Sequence, residues 1–335
     1  MFERNVEKLF EVPWFHMSNA TVKTIATVLL ASCTITFAQT ASAKDELSIA
    51  EAKQYMLSLI NRDRKSQGLK EVVSDEIAER AGNLHSDEMA KFGFLSHWDT
   101  AGRKPDQRYC EAGGTGFVME NGHIEFNGYA DDSSGGSAEF KVDPSATISK
   151  RDIEGIQSGF FNEQPPNDGH RRNILDPDHT RVGIGLTVAK KGDSFRLACA
   201  QEFIHSYGKV ESKPQSIKLG ESFTITGSLE PGLRLSSVDL FWEELPRPMT
   251  IKQLDETHSY GPPQTRVNTY FPNTPAAQGH LTINEAAGRQ EFACTFETDK
   301  ATWKPGLYYV YVWTRTPDAS RVKPLVVASK TIEVR

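Results

Sequence analysis

The sequence has no surplus of positive charge: 38 lysines and arginines stand against 44 aspartates and glutamates, a formal net charge of −6. Neutralising phosphates takes a basic patch, and none stands out, which excludes nucleic acid as a partner. Low-complexity bulk and internal repeats are also missing, so the composition is that of a globular chain. No zinc-protease helix motif occurs and no Gly-x-Ser-x-Gly elbow, so neither common hydrolase design is written into it. Ser96 beside His97 does not supply a triad, because neighbours on an extended chain point apart. The extended apolar stretch near the N-terminus, from Ile25 to about Ala38, is short and polar-flecked for a membrane-spanning helix. Cysteine is scarce, at four residues in 335.

The early apolar stretch reads instead as an export leader. In "TVKTIATVLLASCTITFAQTASA", Lys23 precedes it and Ala41-Ser42-Ala43 supplies the small-x-small pattern of signal peptidase. Residues 1–16 are too polar for a leader, which points to Met17 as the start and places the leader within 1–43. "LASC", Leu30 to Cys33, is a competing lipobox with Cys33 as the acylated residue. Either processing exports the protein, to the outside, the periplasm or the cell surface; only lipidation at Cys33 ties it to a membrane. Cys110, Cys199 and Cys294 remain, an odd number that leaves at least one thiol unpaired in a monomer. A Cys110–Cys199 bridge is one arrangement. The other is a buried thiol, since Cys199 shares a strand face with Phe195, Leu197 and Phe203.

What is present divides the chain in two. Ser48-Ile-Ala-Glu51 is a capping box, and Ala52, Tyr55, Met56, Leu59 and Ile60 then fall on one helical face that ends near Gly68. A second helix starts near Ser74 with Ile77, Ala81, Leu84 and Met89 as its stripe. A third follows Ser149, with Asp152 favouring the positive end of the helix dipole and Ile153, Ile156 and Phe160 apolar. Between them, 93–148 reads as loop-rich, "ADDSSGGS" (130–137) most of all; its aspartates read as a solvated loop rather than a calcium site. Beyond 170 the period becomes two: Val182, Ile184, Leu186 and Val188, a turn at "KKGD", then Phe195, Leu197, Cys199 and Phe203, a hairpin with one buried face. The fold class is α+β, a layered mixed domain over 45–207. "HSYGKVESKPQS" is a linker or boundary strand. Seven or so short strands over 212–335, separated by Gly and Pro turns, read as an all-β immunoglobulin-like sandwich. Tyr308, Tyr309, Tyr311 and Trp313 lie along one of them, one face for the core and the other a stripe for a sugar or partner, or merely β-formers.

Four features of the first domain occur in a recognisable order. A helix followed by "FLSH" gives a pattern that ends at His97; "MEN" carries Glu120; "FFNE" carries Glu163; "GHRRNIL" carries His170, followed by "HTRVGIGL" and "FRLACAQEF". Together they resemble the CAP superfamily (cysteine-rich secretory, antigen 5 and pathogenesis-related proteins) in its bacterial SCP-like form, over about 48–204. The resemblance implies an α-β-α sandwich with a central cavity lined by two histidines, His97 and His170, and two acidic residues, Glu120 and Glu163. Met119 replaces the glycine of the family's Gly-Glu-Asn, Phe160 replaces a tryptophan, and Glu154 is the alternative to Glu163. The insertion 122–148 departs from compact members and is placed to cover or reshape the cavity.

The chemistry of this set is consistent with that reading. Two imidazoles with carboxylates suit a divalent metal held by His97 and His170, zinc first, with an open water position. Without metal the groups form coupled titrations, so either a cation or a proton must neutralise the site. The resemblance favours a binding module for a small ligand, lipid, ion or cell-surface component. A metal-assisted peptidase or esterase with Glu120 or Glu163 as general base is the enzymatic alternative, and a structural or adhesive surface protein the third. His85 and His123 are further candidates for the site, with an interfacial position the plainer reading of His85. Arg171 and Arg172 read as solvated or capping.

Overall fold

The computed structural model describes residues 45–127, 140–213, 215–257, 259–276, 278–286, 288–315 and 324–335. The leader, the Cys33 lipobox and "ADDSSGGS" lie outside the described residues.

The N-terminal half runs β1 (Glu46–Ser48), α1 (Ile49–Ser66), β2 (Val73–Ser74), α2 (Glu76–Phe92), α3 (Pro105–Glu111), β3 (Phe117–Asn127), β4 (Lys141–Val142), β5 (Thr147–Ser149), α4 (Lys150–Phe161), α5 (Gly169–Leu175), β6 (Arg181–Lys191) and β7 (Ser194–His205). Ser48 and Glu51 cap α1 reciprocally, and Ala52, Met56, Leu59 and Ile60 are buried, as the periodicity predicts. Ser149 caps α4 with Asp152 in its first turn. β6 and β7 form the expected hairpin, and β3 pairs with β7 over its whole length. The sheet is mixed rather than purely antiparallel, because β2 joins β6 in parallel.

The hairpin's alternation builds two layers around this sheet. Val182, Ile184, Leu186, Val188, Leu197, Cys199 and Phe203 pack with α1 and α4. The opposite face, Ala189, Ala198, Ala200 and Ile204, meets Met89, Ala90, Ala78 and Ala81 of α2. The result is helix, sheet, helix.

Two expectations fail here for physical reasons. Leu84 is not in the buried stripe of α2; it is 65% exposed, and Ala78, Ala81, Gly82, His85 and Ser86 face the sheet instead. The helix lies against Gly183 and Gly185 of β6, where an added Cβ would meet helix backbone at 2.1 and 2.2 Å. Such a close contact selects small residues, so an apolar periodicity count misjudges the face. The segment 93–148 is also not all loop: α3 and the eleven-residue β3 lie within it, and β3 carries Glu120.

All three described cysteines are buried free thiols, so no Cys110–Cys199 bridge forms. Cys199 faces the α1/α4 layer. Cys110, in α3, has its thiol 3.9 Å from the Thr331 carbonyl in the C-terminal half.

That half contains β8 (Gly208–Lys213), β9 (Ser216–Ile217), β10 (Ser222–Leu229), β11 (Arg234–Glu243), α6 (Ile251–Asp255), β12 (Thr265–Tyr270), β13 (Gly279–Ala286), β14 (Arg289–Glu297), β15 (Gly306–Arg315) and β16 (Leu325–Val334). They form a four-stranded sheet, β13-β14-β10-β8, and a five-stranded sheet, β12-β11-β15-β16-β9. Both contribute to one apolar core that includes Ile225, Leu240, Phe296, Tyr308 and Ile332.

The two halves dock through the outer face of the five-stranded sheet. Tyr309, Tyr311 and Trp313, with Phe241, Leu307 and Val326, bury Phe117 and Met119 of β3. The aromatic stripe is therefore covered by the chain's own N-terminal half. Backbone and side-chain hydrogen bonds frame the contact, among them Ser329 N–H to the Gly116 carbonyl at 3.1 Å and Met249 N–H to the Thr100 carbonyl at 2.9 Å. Lys104 pairs with Glu243 at 2.6 Å.

Asp106 sits in this seam, and burial pushes its carboxyl up to about 6, against the opposing pull of Ser329 and Lys104. A carboxyl raised above its unfolded value keeps its proton in the folded state between about pH 4 and 6. Folding stability therefore falls as pH rises through that window and stays low above it. Asp106→Asn removes the ionisation, so it is expected to stabilise the protein at pH 8 by up to about 3 kcal/mol and by little at pH 4. Denaturant unfolding of both proteins at the two pH values checks this; an equal difference at both refutes it.

Candidate functional site

His97 lies in the loop that leaves α2 after Gly93, a left-handed cap with φ 74°. Glu120 projects from β3. Their side chains meet, with His97 Nδ1 2.8 Å from Glu120 Oε1. Across the site, Glu163 follows the end of α4 and holds the first turn of α5. Its Oε2 accepts the His170 backbone N–H at 2.9 Å, and its Oε1 bonds His170 Nδ1 at 2.5 Å. One carboxylate thus caps a helix and fixes the ring, which is why Glu163 and His170 can be matched from local sequence. Phe160 packs on the His170 ring at 4.6 Å between centroids. Glu154, the alternative, is exposed and bonded to the Tyr55 hydroxyl, away from both histidines.

An amide network ties the walls together. Asn121 Nδ2 donates to the His170 carbonyl at 3.2 Å and to Gln201 Oε1 at 3.1 Å, while Asn173 Nδ2 donates to Asn121 Oδ1 at 2.9 Å. Gln201 passes on to Gln157, and Gln157 to Asp63 of α1. Each link satisfies a buried polar group that would otherwise cost about 1–3 kcal/mol.

Several residues that sequence reading passed over complete the electrostatics. Arg108 of α3 is buried beside Glu120, with its guanidinium 2.5 Å from Oε2, and it also donates to the His97 carbonyl at 2.7 Å. Glu202 stands directly opposite Glu120 in the β3–β7 register, 3.9 Å from Arg108. Burial alone pushes Glu120 up, but Arg108, His85 and His97 outweigh it and hold the carboxyl below its ordinary range. Glu202 goes the other way, raised well above normal by burial and then by the charge of Glu120. The pair is therefore one carboxylate and one carboxylic acid around one guanidinium. Arg108 thus supplies positive charge to the Glu120 side of the cluster, a role no sequence motif assigned to it.

His85 is fully buried, not merely interfacial. Its Nε2 donates to the Ser96 carbonyl at 2.8 Å and lies 3.7 Å from Glu120. Burial, then Arg108, lowers its pKa to about 4. His123 stands edge-on to Phe160, and burial followed by the proximity of His170 lowers it to about 4. Burial likewise lowers His97, partly offset by Glu120. These rings are neutral at physiological pH. Arg171 donates to the Phe161 carbonyl at the end of α4 and covers the Phe161 ring, a capping role, and Arg172 makes a half-exposed ion pair with Asp168 at 3.2 Å, a solvated one.

The C-terminal half closes over this cluster. The connection between β11 and β12 brings Leu254 of α6 against Met89 and Phe94, and Thr257 to Ser96 at 2.5 Å. Tyr260 lies against His97, ring centroids 4.5 Å apart, and its hydroxyl accepts the Glu120 backbone N–H at 3.0 Å. His97 and Glu120 have no exposed surface. On the far side a cavity of about 140 Å³ between α2 and α3 reaches His85 and Arg108.

The family model for the cysteine-rich secretory protein family, CAP, matches residues 57–203. Those residues form a CAP domain. The match spans the sheet, α2 to α5 and all four of His97, Glu120, Glu163 and His170. No curated protein matches the chain. Among solved structures, murine CRIg is 15% identical, covering 39% of this chain and 98% of that one at a TM-score of 0.22. The class 5 fimbriae chaperone CfaA is 17% identical, covering 38% and 55% at 0.18. Dpr2 Ig1-Ig2, in complex with DIP-Theta Ig1-Ig3, is 10% identical, covering 48% and 41% at 0.19. Among the described residues no helix is long and apolar enough to cross a membrane.

Proposed function

We propose that this is an exported binding protein whose CAP domain takes a divalent cation, zinc by its donor chemistry, or a small polar ligand between His97 and His170. The observation that carries the reading is that each imidazole has its Nδ1 held by a carboxylate, Glu120 for one and Glu163 for the other. That is how proteins orient a histidine to ligate through Nε2. The two glutamates then position the rings. A bound zinc would supply a Lewis-acidic centre there.

The hydrolytic alternative is weakened by the same geometry. Glu120 is pinned by Arg108 and held below the ordinary carboxyl range, which makes it a poor general base near pH 7. We read the C-terminal half as an immunoglobulin-like sandwich, with its boundary near residues 207–212, serving contacts at the cell envelope or outside the cell. Its strand order, β13-β14-β10-β8 facing β12-β11-β15-β16-β9, supports this. So does Tyr308, whose hydroxyl bonds back to the Lys304 carbonyl at 3.0 Å in the manner of a tyrosine corner.

Zinc titration calorimetry on the metal-stripped full chain tests the cation reading. The His97→Ala/His170→Ala double variant is expected to lose one equivalent of bound zinc relative to wild type. An unchanged stoichiometry and affinity would remove the cation from this cavity.

A further inference from the structure

A second histidine pair lies on the seam between the two halves, away from His97 and His170. Asp176 follows α5, His179 comes three residues later, and His205 ends β7. Their ligand atoms all lie within 4.8 Å of one another. His179 and His205 are 2% and 6% exposed, and their ring centroids are 4.7 Å apart.

Hydrogen bonding fixes which atoms face inward. His179 Nδ1 is 2.7 Å from the Asn173 carbonyl, and His205 Nδ1 is 2.8 Å from the Val326 carbonyl. Carbonyl oxygens only accept, so each Nδ1 carries the hydrogen, and a neutral ring then presents a lone pair at Nε2. Both Nε2 atoms are buried without a hydrogen-bond partner. Asp176 Oδ1 accepts the Asp178 backbone N–H at 2.8 Å, which leaves Oδ2, 3.8 Å from His205 Nε2, as the third inward atom. Three acceptors therefore converge, and nothing among the described residues donates to the two Nε2 atoms.

The frame around them is stiff. Buried Arg64 donates to the backbone carbonyls of Ile174, Asp176 and His179, clamping the turn that carries two of the three groups. Its charge opposes a nearby cation, while the Asp176 carboxylate attracts one. Phe203 stacks on His179, and Val326 ties His205 to the C-terminal half.

We propose that Asp176, His179 and His205 form a divalent-cation site of the zinc-accepting kind that bridges the two halves of the chain. Two imidazoles and one carboxylate leave one tetrahedral position for water. Each ligand has the outer hydrogen bond that orients such groups. Ligands of a tetrahedral zinc at about 2.0–2.1 Å stand about 3.4 Å apart, so separations of up to 4.8 Å shorten by at most about 1.4 Å on binding.

The test uses zinc on the EDTA-stripped, dialysed full chain, following stoichiometry by calorimetry and melting temperature by scanning. His179→Phe keeps an aromatic ring on Phe203 and removes one ligand; Asp176→Asn keeps the shape and removes the charge. Wild type and the His97→Ala/His170→Ala double variant should both bind zinc at this site and melt several degrees higher with it. His179→Phe should lose that equivalent and the melting shift, and Asp176→Asn should weaken it at least tenfold. Retention in the double variant separates this site from the CAP cavity, whichever way the cavity reading falls. If His179→Phe binds and melts with zinc as its parent does, or if the parent takes no zinc at millimolar concentration, the proposal fails.

Discussion

Arg108→Met is expected to cost about 3–5 kcal/mol of folding stability, because it leaves Glu120 as an uncompensated charge in the protein's interior. Arg108 and Glu120 are both buried, with the guanidinium 2.5 Å from the carboxylate. Glu202 sits on the neighbouring strand opposite Glu120, fully buried and 3.9 Å from Arg108. Removing this guanidinium from between two facing carboxyls forces protonation of both or opening of the sheet edge. A paired variant decides whether charge is the cause. Arg108→Met/Glu120→Gln removes both members and should recover part of the loss, since replacing a buried pair is far milder than breaking one. Urea midpoints of the two variants make the comparison. A single variant within 1 kcal/mol of wild type, or a double variant no better than the single, contradicts the account.

Gly185→Ala is expected to prevent accumulation of folded protein, although it adds one methyl group. Its Cβ would fall 2.2 Å from the Gly82 carbonyl carbon and oxygen, and 2.7 Å from Asn83 N. These are backbone atoms of α2, so no rotamer change relieves the clash and the whole helix must lift. Overpacking usually costs about 1–3 kcal/mol, occasionally more, and a backbone-on-backbone contact belongs with the larger values. Gly155→Ala supplies the contrast. Gly155 lies inside α4 with nothing within 4 Å of an added Cβ, so the same substitution should stabilise by about 0.5–1 kcal/mol through helix propensity. Soluble yield and thermal melting of the two variants should therefore diverge. Similar behaviour in both would refute the close-contact explanation.

The parts of this fold that were legible share a local cause. The α1 cap, the β6–β7 alternation and the Glu163–His170 grip each arise within about a dozen residues, where spacing determines geometry. Glu202 was legible in principle: it is a carboxylate on the strand face otherwise occupied by Ala198, Ala200 and Ile204, and an acid there demands a partner. Arg108 was hidden because α3 interrupts a Gly- and polar-rich stretch that reads as loop. Leu84 misled because α2 rests on glycines, and small residues give no hydrophobic signal. Tyr260 had no signature at all, since it reaches His97 from 163 positions downstream in sequence, carried by the docking of one half on the other.

If a ligand enters between His97 and His170 as proposed, Tyr260 has a thermodynamic consequence for it. An incoming molecule that must reach His97 from that side competes with a tethered rival whose local concentration the chain itself sets, independent of dilution. Its apparent dissociation constant is the intrinsic one divided by the fraction of molecules in which the tyrosine has swung aside. Selectivity would then reside as much in the connection that delivers the phenol ring as in the pocket walls, and shortening or loosening that connection would retune occupancy without touching a single residue of the CAP domain.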